Sequence, residues 1–158
     1  MKYTYGPRGV LQVDDARITF KNFTGRGDRY NREGDRNFAL IIPNEDIANE
    51  LIADGWNVKI KPPREDGDSA FIYMNIKLSY NGRGGIPAYL RSGDKIVELT
   101  EDTIGCLDSM DIMSVDLDIR PYDWVRPNGD SGRSAYLQSI HVTQAIDRFA
   151  ARYRRDEE

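Results

Sequence analysis

Apolar and polar residues alternate through most of the chain, a period of two that marks strands with one covered face. In ARITFKNF (16–23), Ile18 and Phe20 fall on one side and Arg17, Thr19 and Lys21 on the other, so a half-buried strand is predicted. NFALIIP (37–43) reads as a short apolar strand that Pro43 ends. NVKIKPP (57–63) turns Val58 and Ile60 inward and Lys59 and Lys61 outward. In AFIYMNIKLSY (70–80), Ile72, Met74, Ile76 and Leu78 make one unbroken apolar face. Phe71, Tyr73, Asn75 and Lys77 occupy the other, an unusual place for two rings and a lysine. DIMSVDLDIRPYDWV (111–125) is a long strand with Met113, Val115, Leu117 and Ile119 inward, Asp116, Asp118 and Arg120 outward, and a bend or edge at Pro121. RPNGDSG (126–132) turns the chain, and RSAYLQSIHVTQ (133–144) returns antiparallel.

The period changes to that of a helix in NEDIANELIADGW (44–56). Asn44 caps it, Glu45 and Asp46 suit the positive end of its dipole, Ile47, Leu51 and Ile52 form the apolar stripe, and Gly55 falls just past its end. IPAYLRSGDKIVEL (86–99) predicts a hairpin around Ser92–Asp94, and TEDTIGCLDSM (100–110) a short helical turn. AIDRFAARY (145–153) places Ile146, Phe149, Ala150 and Tyr153 on one helical face. Many strands and one well-marked internal helix predict a mainly β fold, an OB-fold-like antiparallel barrel with one internal helix and a short C-terminal helix. A β-sandwich is the alternative. With GVLQV (9–13) counted as the first strand, the helix follows the third, where an OB-fold expects it. The expected organisation is a single domain over 1–150 and a charged tail over 151–158.

At 158 residues the chain is long enough for one domain with its own core. It has no apolar run of membrane-spanning length and no signal-like start, and Cys106 is its only cysteine, so a cytoplasmic location in a bacterial host cell and no disulfide are expected. The net charge of −4 hides an asymmetry. Six basic residues face three acidic ones between Arg17 and Arg36, a net of +3 that leaves −7 for the remainder. GRGDRYNREGDR (25–36) in that segment reads as a long, mobile, basic loop. It lacks the Gly-Lys-Ser/Thr ending of a phosphate loop and precedes a strand, which excludes a nucleotide triphosphate site.

Catalytic readings find little support. Cys106 and His141 are unique, but neither sits in a nucleophile setting, and a structural zinc needs more His and Cys than the chain has. Asp116 and Asp118, with Asp108 or Asp111, leave open a metal-dependent nuclease. No cofactor is expected. Binding is better supplied. Exposed bases stack on aromatic rings, and phosphates attract Lys and Arg. The rings that could serve are Phe23, Phe71, Tyr73, Tyr122, Trp124 and Tyr136. The cations are Lys21, Arg26, Arg29, Arg32, Lys59, Lys61, Lys77, Arg126 and Arg133.

The stretches FKNFTGRGDRYNREGDRNFALII, ELIADGWNVKIKPP, IGCLDSMDIMSVDLDIRPYDW and SAYLQSIHVT, which cover most of 17–143, resemble the small OB-fold single-stranded DNA-binding proteins of bacteriophages. The resemblance implies cooperative, largely sequence-independent protection of single strands in phage DNA replication or recombination. It also implies an acidic C-terminal tail that recruits replication partners. It fixes no contacting residue, so the rings and cations named above remain a reading of this chain. The partners expected are single-stranded DNA, with replication or recombination proteins beyond it, no membrane, and self-association left open. A phage structural or protein-interaction β-sandwich is the competing function.

Overall fold

The alternation is realised in nine strands of a computed structural model that describes residues 1–81 and 84–146. They are β1 (Lys2–Tyr5), β2 (Leu11–Asn22), β3 (Arg36–Ile41), β4 (Val58–Lys61), β5 (Phe71–Leu78), β6 (Ala88–Ser92), β7 (Lys95–Leu99), β8 (Ile112–Val125) and β9 (Ser131–Gln144). Helix α1 (Glu45–Ala53) lies between β3 and β4, and a 3-10 turn (Ile104–Ser109) precedes β8. The expected C-terminal helix (145–153) and tail (151–158) fall almost wholly outside the described residues.

Five strands close on themselves. β3 pairs with β2 and β5, β8 with β2 and β9, and β9 returns to β5 in parallel through Ile76↔Ala135 and Lys77↔Tyr136. Numbered along the chain, these ring strands neighbour one another in the order 1-2-3-5-4-1, the connectivity of an OB-type fold, and the sandwich alternative is set aside. The helix sits between the second and third ring strands. The third and fourth are joined instead through the β6–β7 hairpin and the 3-10 turn. GVLQV is not a separate strand, because Leu11–Val13 open the long β2 and the extra first strand is β1.

The inner face is apolar throughout. Leu11, Val13, Phe38, Leu40, Met74, Ile76, Val115, Leu117, Ile119 and Val142 are all buried, joined by Leu51 from α1 and Ile104 and Leu107 from the 3-10 turn. No polar or charged residue is buried among the described residues, so the core carries no desolvated charge. Asn44 caps α1 by accepting from the Ile47 amide (2.9 Å). Strand β1 lies outside the ring, held by pairing with β2 and by two phenols. Tyr3 donates to Glu50, which pushes its pKa up to about 12, and Tyr5 donates to Asp54 (2.6 Å).

Four inward assignments fail, each for a local reason. Phe20 has φ +50 at an irregularity between Thr19 and Asn22, which swings its ring outward to 60% exposure. Met113 is the extra residue where the β8–β9 register shifts between Ile112 and Ser114, and it is exposed. Ile60 belongs to β4, a four-residue edge strand outside the ring, and Ile52 is exposed while Ala48 takes its place in the helix stripe.

Candidate nucleic-acid interface

The pleat of β5 decides the geometry. With Ile72, Met74, Ile76 and Leu78 buried in the ring, Phe71, Tyr73, Asn75 and Lys77 must point outward, where no layer covers them. The outward Phe20 joins the first two. Phe71 and Tyr73 stack with centroids 5.3 Å apart, and Phe20 meets them edge-on at 5.8 and 6.1 Å. Lys61 of β4, opposite Phe71, holds its ammonium 5.7 Å from the Phe20 centroid and 5.6 Å from that of Tyr73. Lys59, opposite Tyr73, flanks the same cluster. Three rings and two lysines thus share one outward-facing platform, in which Phe71 and Tyr73 are half-buried and Phe20 is exposed.

A second platform stands on the β8–β9 hairpin. Tyr122 and Tyr136 pack edge-to-face at 6.0 Å, with the Arg120 guanidinium 5.4 Å from the Tyr136 ring. The Arg126 guanidinium lies 5.0 Å from the Trp124 ring. The six-membered ring of Trp124 fills the space beside Gly132, where an added Cβ would come within 2.4 Å of it. Gly132→Ala should therefore displace the indole. The expected result is a weakened near-ultraviolet circular dichroism band with the far-ultraviolet spectrum unchanged.

Lys77 connects the platforms, since it pairs with Asn37 on one side and Tyr136 on the other. Shallow depressions that share Asn37, Asn75 and Lys77 run from Phe20 and Arg26, across β5, to Trp124 and Arg126. In an OB-type barrel this is the face where oligonucleotides bind, bounded by the loop between ring strands 1 and 2 and the loop between strands 4 and 5.

The first of those loops (24–35) is not slack, as the sequence suggested, but braced by its own hydrogen bonds. Asn22 accepts from the amides of Gly25 and Arg26, Asp28 from those of Tyr30 and Asn31, and Glu33 from that of Gly27. Asn31 donates to three carbonyls, those of Arg26, Arg32 and Asp35. Two of the loop's three carboxylates are thereby turned onto backbone amides. Arg26, Arg29 and Arg32 are exposed, and no ion pair engages them among the described residues. A segment of small formal charge thus presents three free cations, with the Tyr30 ring 90% exposed beside Arg29.

Three sequence-level candidates behave differently. Phe23 is corrected outright. Its ring is fully buried and stacks on Phe38 at 5.0 Å, so it belongs to the core. Lys21 is half-buried and donates to the Met110 carbonyl (2.5 Å), though it still lines the depression beside Phe20. Arg133 is held by Asp123 and the Asp54 carbonyl. The remaining candidates, Arg26, Arg29, Arg32, Lys59, Lys61, Phe71, Tyr73, Lys77, Tyr122, Trp124, Arg126 and Tyr136, lie along the platforms, the depressions between them or the bounding loop. Phe20, Tyr30 and Arg120 were missed. The spacing of three between Phe20 and Phe23 puts them on opposite faces of a regular strand but does not say which is buried, so alternation held no signal for Phe20.

Three of the four carboxylates of the nuclease alternative accept hydrogen bonds within the fold. Asp108 accepts from the Phe23 and Thr24 amides and the Thr24 hydroxyl, Asp116 from the Asp15 amide, and Asp118 from the Ser139 hydroxyl. No cluster of three or more potential metal ligands occurs among the described residues. Burial, with a smaller push from Asp108, raises the Cys106 thiol pKa, which disfavours the thiolate.

An OB-type ring bearing a ring-lined cationic face is the architecture of an oligonucleotide-binding domain. Residues 2–156 match the family described as "Putative phage ssDNA-binding domain". The chain belongs to this family of phage domains. Among solved structures, the single-stranded DNA-binding protein from bacteriophage Enc34 in complex with ssDNA superposes with a TM-score of 0.58 at 13% identity, covering 92% of each chain. A C-terminal truncation of the same phage protein gives 0.55 at 13% identity, covering 93% of this chain and 97% of the other. At such identity these likenesses establish the fold. No curated protein sequence matches the chain.

Proposed function

We propose that the protein binds single-stranded DNA with little sequence preference, without catalysing a reaction, and protects exposed strands during phage DNA replication or recombination in the host cytoplasm. The observation that carries this reading is the uncovered outer face of β5. There Phe71 and Tyr73, with Phe20 and Lys61 beside them, offer ring faces and positive charge together.

Stacking on rings and neutralisation of phosphates read no sequence, because every base has a π-face and every nucleotide a phosphate. The Asn22 and Asn31 side chains, which could read base edges, are committed to the loop's own backbone. The family and the Enc34 likeness support the same reading, and the engaged carboxylates support the absence of nuclease chemistry.

A fluorescence anisotropy titration at several salt concentrations tests it. Oligo-dT should bind far more tightly than a duplex of equal length. If roughly four phosphates are neutralised, log K should fall against log salt with a slope of about −3. Equal affinity for duplex and single strand at low salt, or cleavage of the oligonucleotide with magnesium, would remove the proposal.

A further inference from the structure

The β8–β9 hairpin outruns the ring that supports it. Pairing with β2 ends at Ile119↔Leu11, and pairing with β5 is confined to Ala135 and Tyr136. Residues 120–134 therefore form an arm whose strands pair mainly with each other, and a two-stranded ribbon is marginal on its own. Tyr122, Trp124 and Arg126 all ride on that arm.

Outside strand pairing, one hydrogen bond ties the arm to the body among the described residues. Arg133 Nη1 donates to the Asp54 carbonyl (2.9 Å) at the end of α1. The same guanidinium clasps Asp123 across the hairpin, Nε to Oδ1 at 2.7 Å and Nη2 to Oδ2 at 3.2 Å. This pairing lowers the Asp123 pKa. The guanidinium also lies 5.3 Å from the ring of Trp56, which is buried. Trp56 donates to the Tyr5 hydroxyl (2.9 Å), and Tyr5 donates to Asp54, so the anchor is itself fixed to β1. Gly55, at φ +100, turns the chain directly after Asp54, a backbone conformation that a side chain would strain.

We infer that Arg133 is a positioning residue, a latch that holds the arm where Trp124 and Tyr122 face a strand lying over Lys77, and not a phosphate ligand. This rests on the single-strand-binding reading above. An arginine already paired in bidentate fashion with a carboxylate has little charge to offer a phosphate. Arg126, which has no ion pair among the described residues, is the contrasting case.

The two roles separate in the salt dependence. For Arg133→Met, oligo-dT affinity should fall about tenfold with the slope of log K against log salt unchanged. For Arg126→Met the slope should become shallower by about 0.7, the value for one phosphate on a single strand. Arg133→Lys should fail to rescue, because a point charge cannot reproduce the planar fork. Asp123→Asn, which leaves Arg133 in place, should reproduce part of the loss. Without DNA, in a Trp56→Phe background that leaves Trp124 as the sole indole, acrylamide should quench more strongly with Arg133→Met than with Arg133 in place. A slope reduced by about 0.7 in Arg133→Met, with full rescue by lysine, would overturn the latch, as would unchanged quenching. If the unaltered protein binds no oligo-dT, the functional reading fails, and the quenching comparison still decides whether Arg133 holds the arm.

Discussion

Tyr73→Ala is expected to weaken oligo-dT binding by about five- to 150-fold, the equivalent of the ~1–3 kcal/mol that one base stacked on one ring contributes. Tyr73 is the residue best placed for this loss. It is central on the outer face of β5, stacked on Phe71, edge-on to Phe20 and within reach of the Lys61 ammonium. Its side chain points away from the core, so the pairing of β5 with β3 at Ile41 and with β4 at Lys59 survives the change. Stability measured by urea should shift little while affinity falls. Phe20→Ala should act in the same direction, since that ring is exposed and takes no part in the core.

Phe23→Ala is expected to do the reverse. Removing a fully buried ring that stacks on Phe38 should destabilise the fold by about 3–5 kcal/mol, a large share of a small domain's total. The measurement is a urea transition, whose midpoint should drop sharply. Oligo-dT affinity of the fraction that remains folded should stay near that of the unaltered protein. Two phenylalanines three residues apart would then report separately on the interface and the core.

Those residues also mark how far the sequence could be read. Where the pleat is regular, alternation sufficed. The division of β5 into Ile72, Met74, Ile76 and Leu78 against Phe71, Tyr73, Asn75 and Lys77 is the one in the structure, and it locates half of the interface. The Asn44 cap and the hairpin turn after Ser92 were legible for the same reason, since both depend on neighbours a few positions away.

What alternation cannot carry is an added residue. The irregularities at Thr19–Asn22 and Ile112–Ser114 reverse the side-chain direction at Phe20 and expose Met113, because one inserted residue shifts the face of those that follow. Long-range pairing is hidden too. The parallel closure of β5 on β9 and the bond from Arg133 to Asp54, 79 positions away, have no local trace. Arg133 therefore resembled any other arginine beside an aromatic hairpin. Counting charge in the basic 24–35 loop could not show that two of its three acids turn onto backbone amides while its arginines stay exposed.

The central claim is that a single strand lies across the outward rings of β5 and continues onto the β8–β9 arm. Photo-cross-linking of an oligonucleotide carrying 5-iododeoxyuridine, followed by peptide mapping, tests this most directly. Adducts should concentrate on Phe20, Phe71, Tyr73, Tyr122 and Trp124. Adducts confined to β1, α1 or the β6–β7 hairpin, with those five rings unmodified, would contradict it.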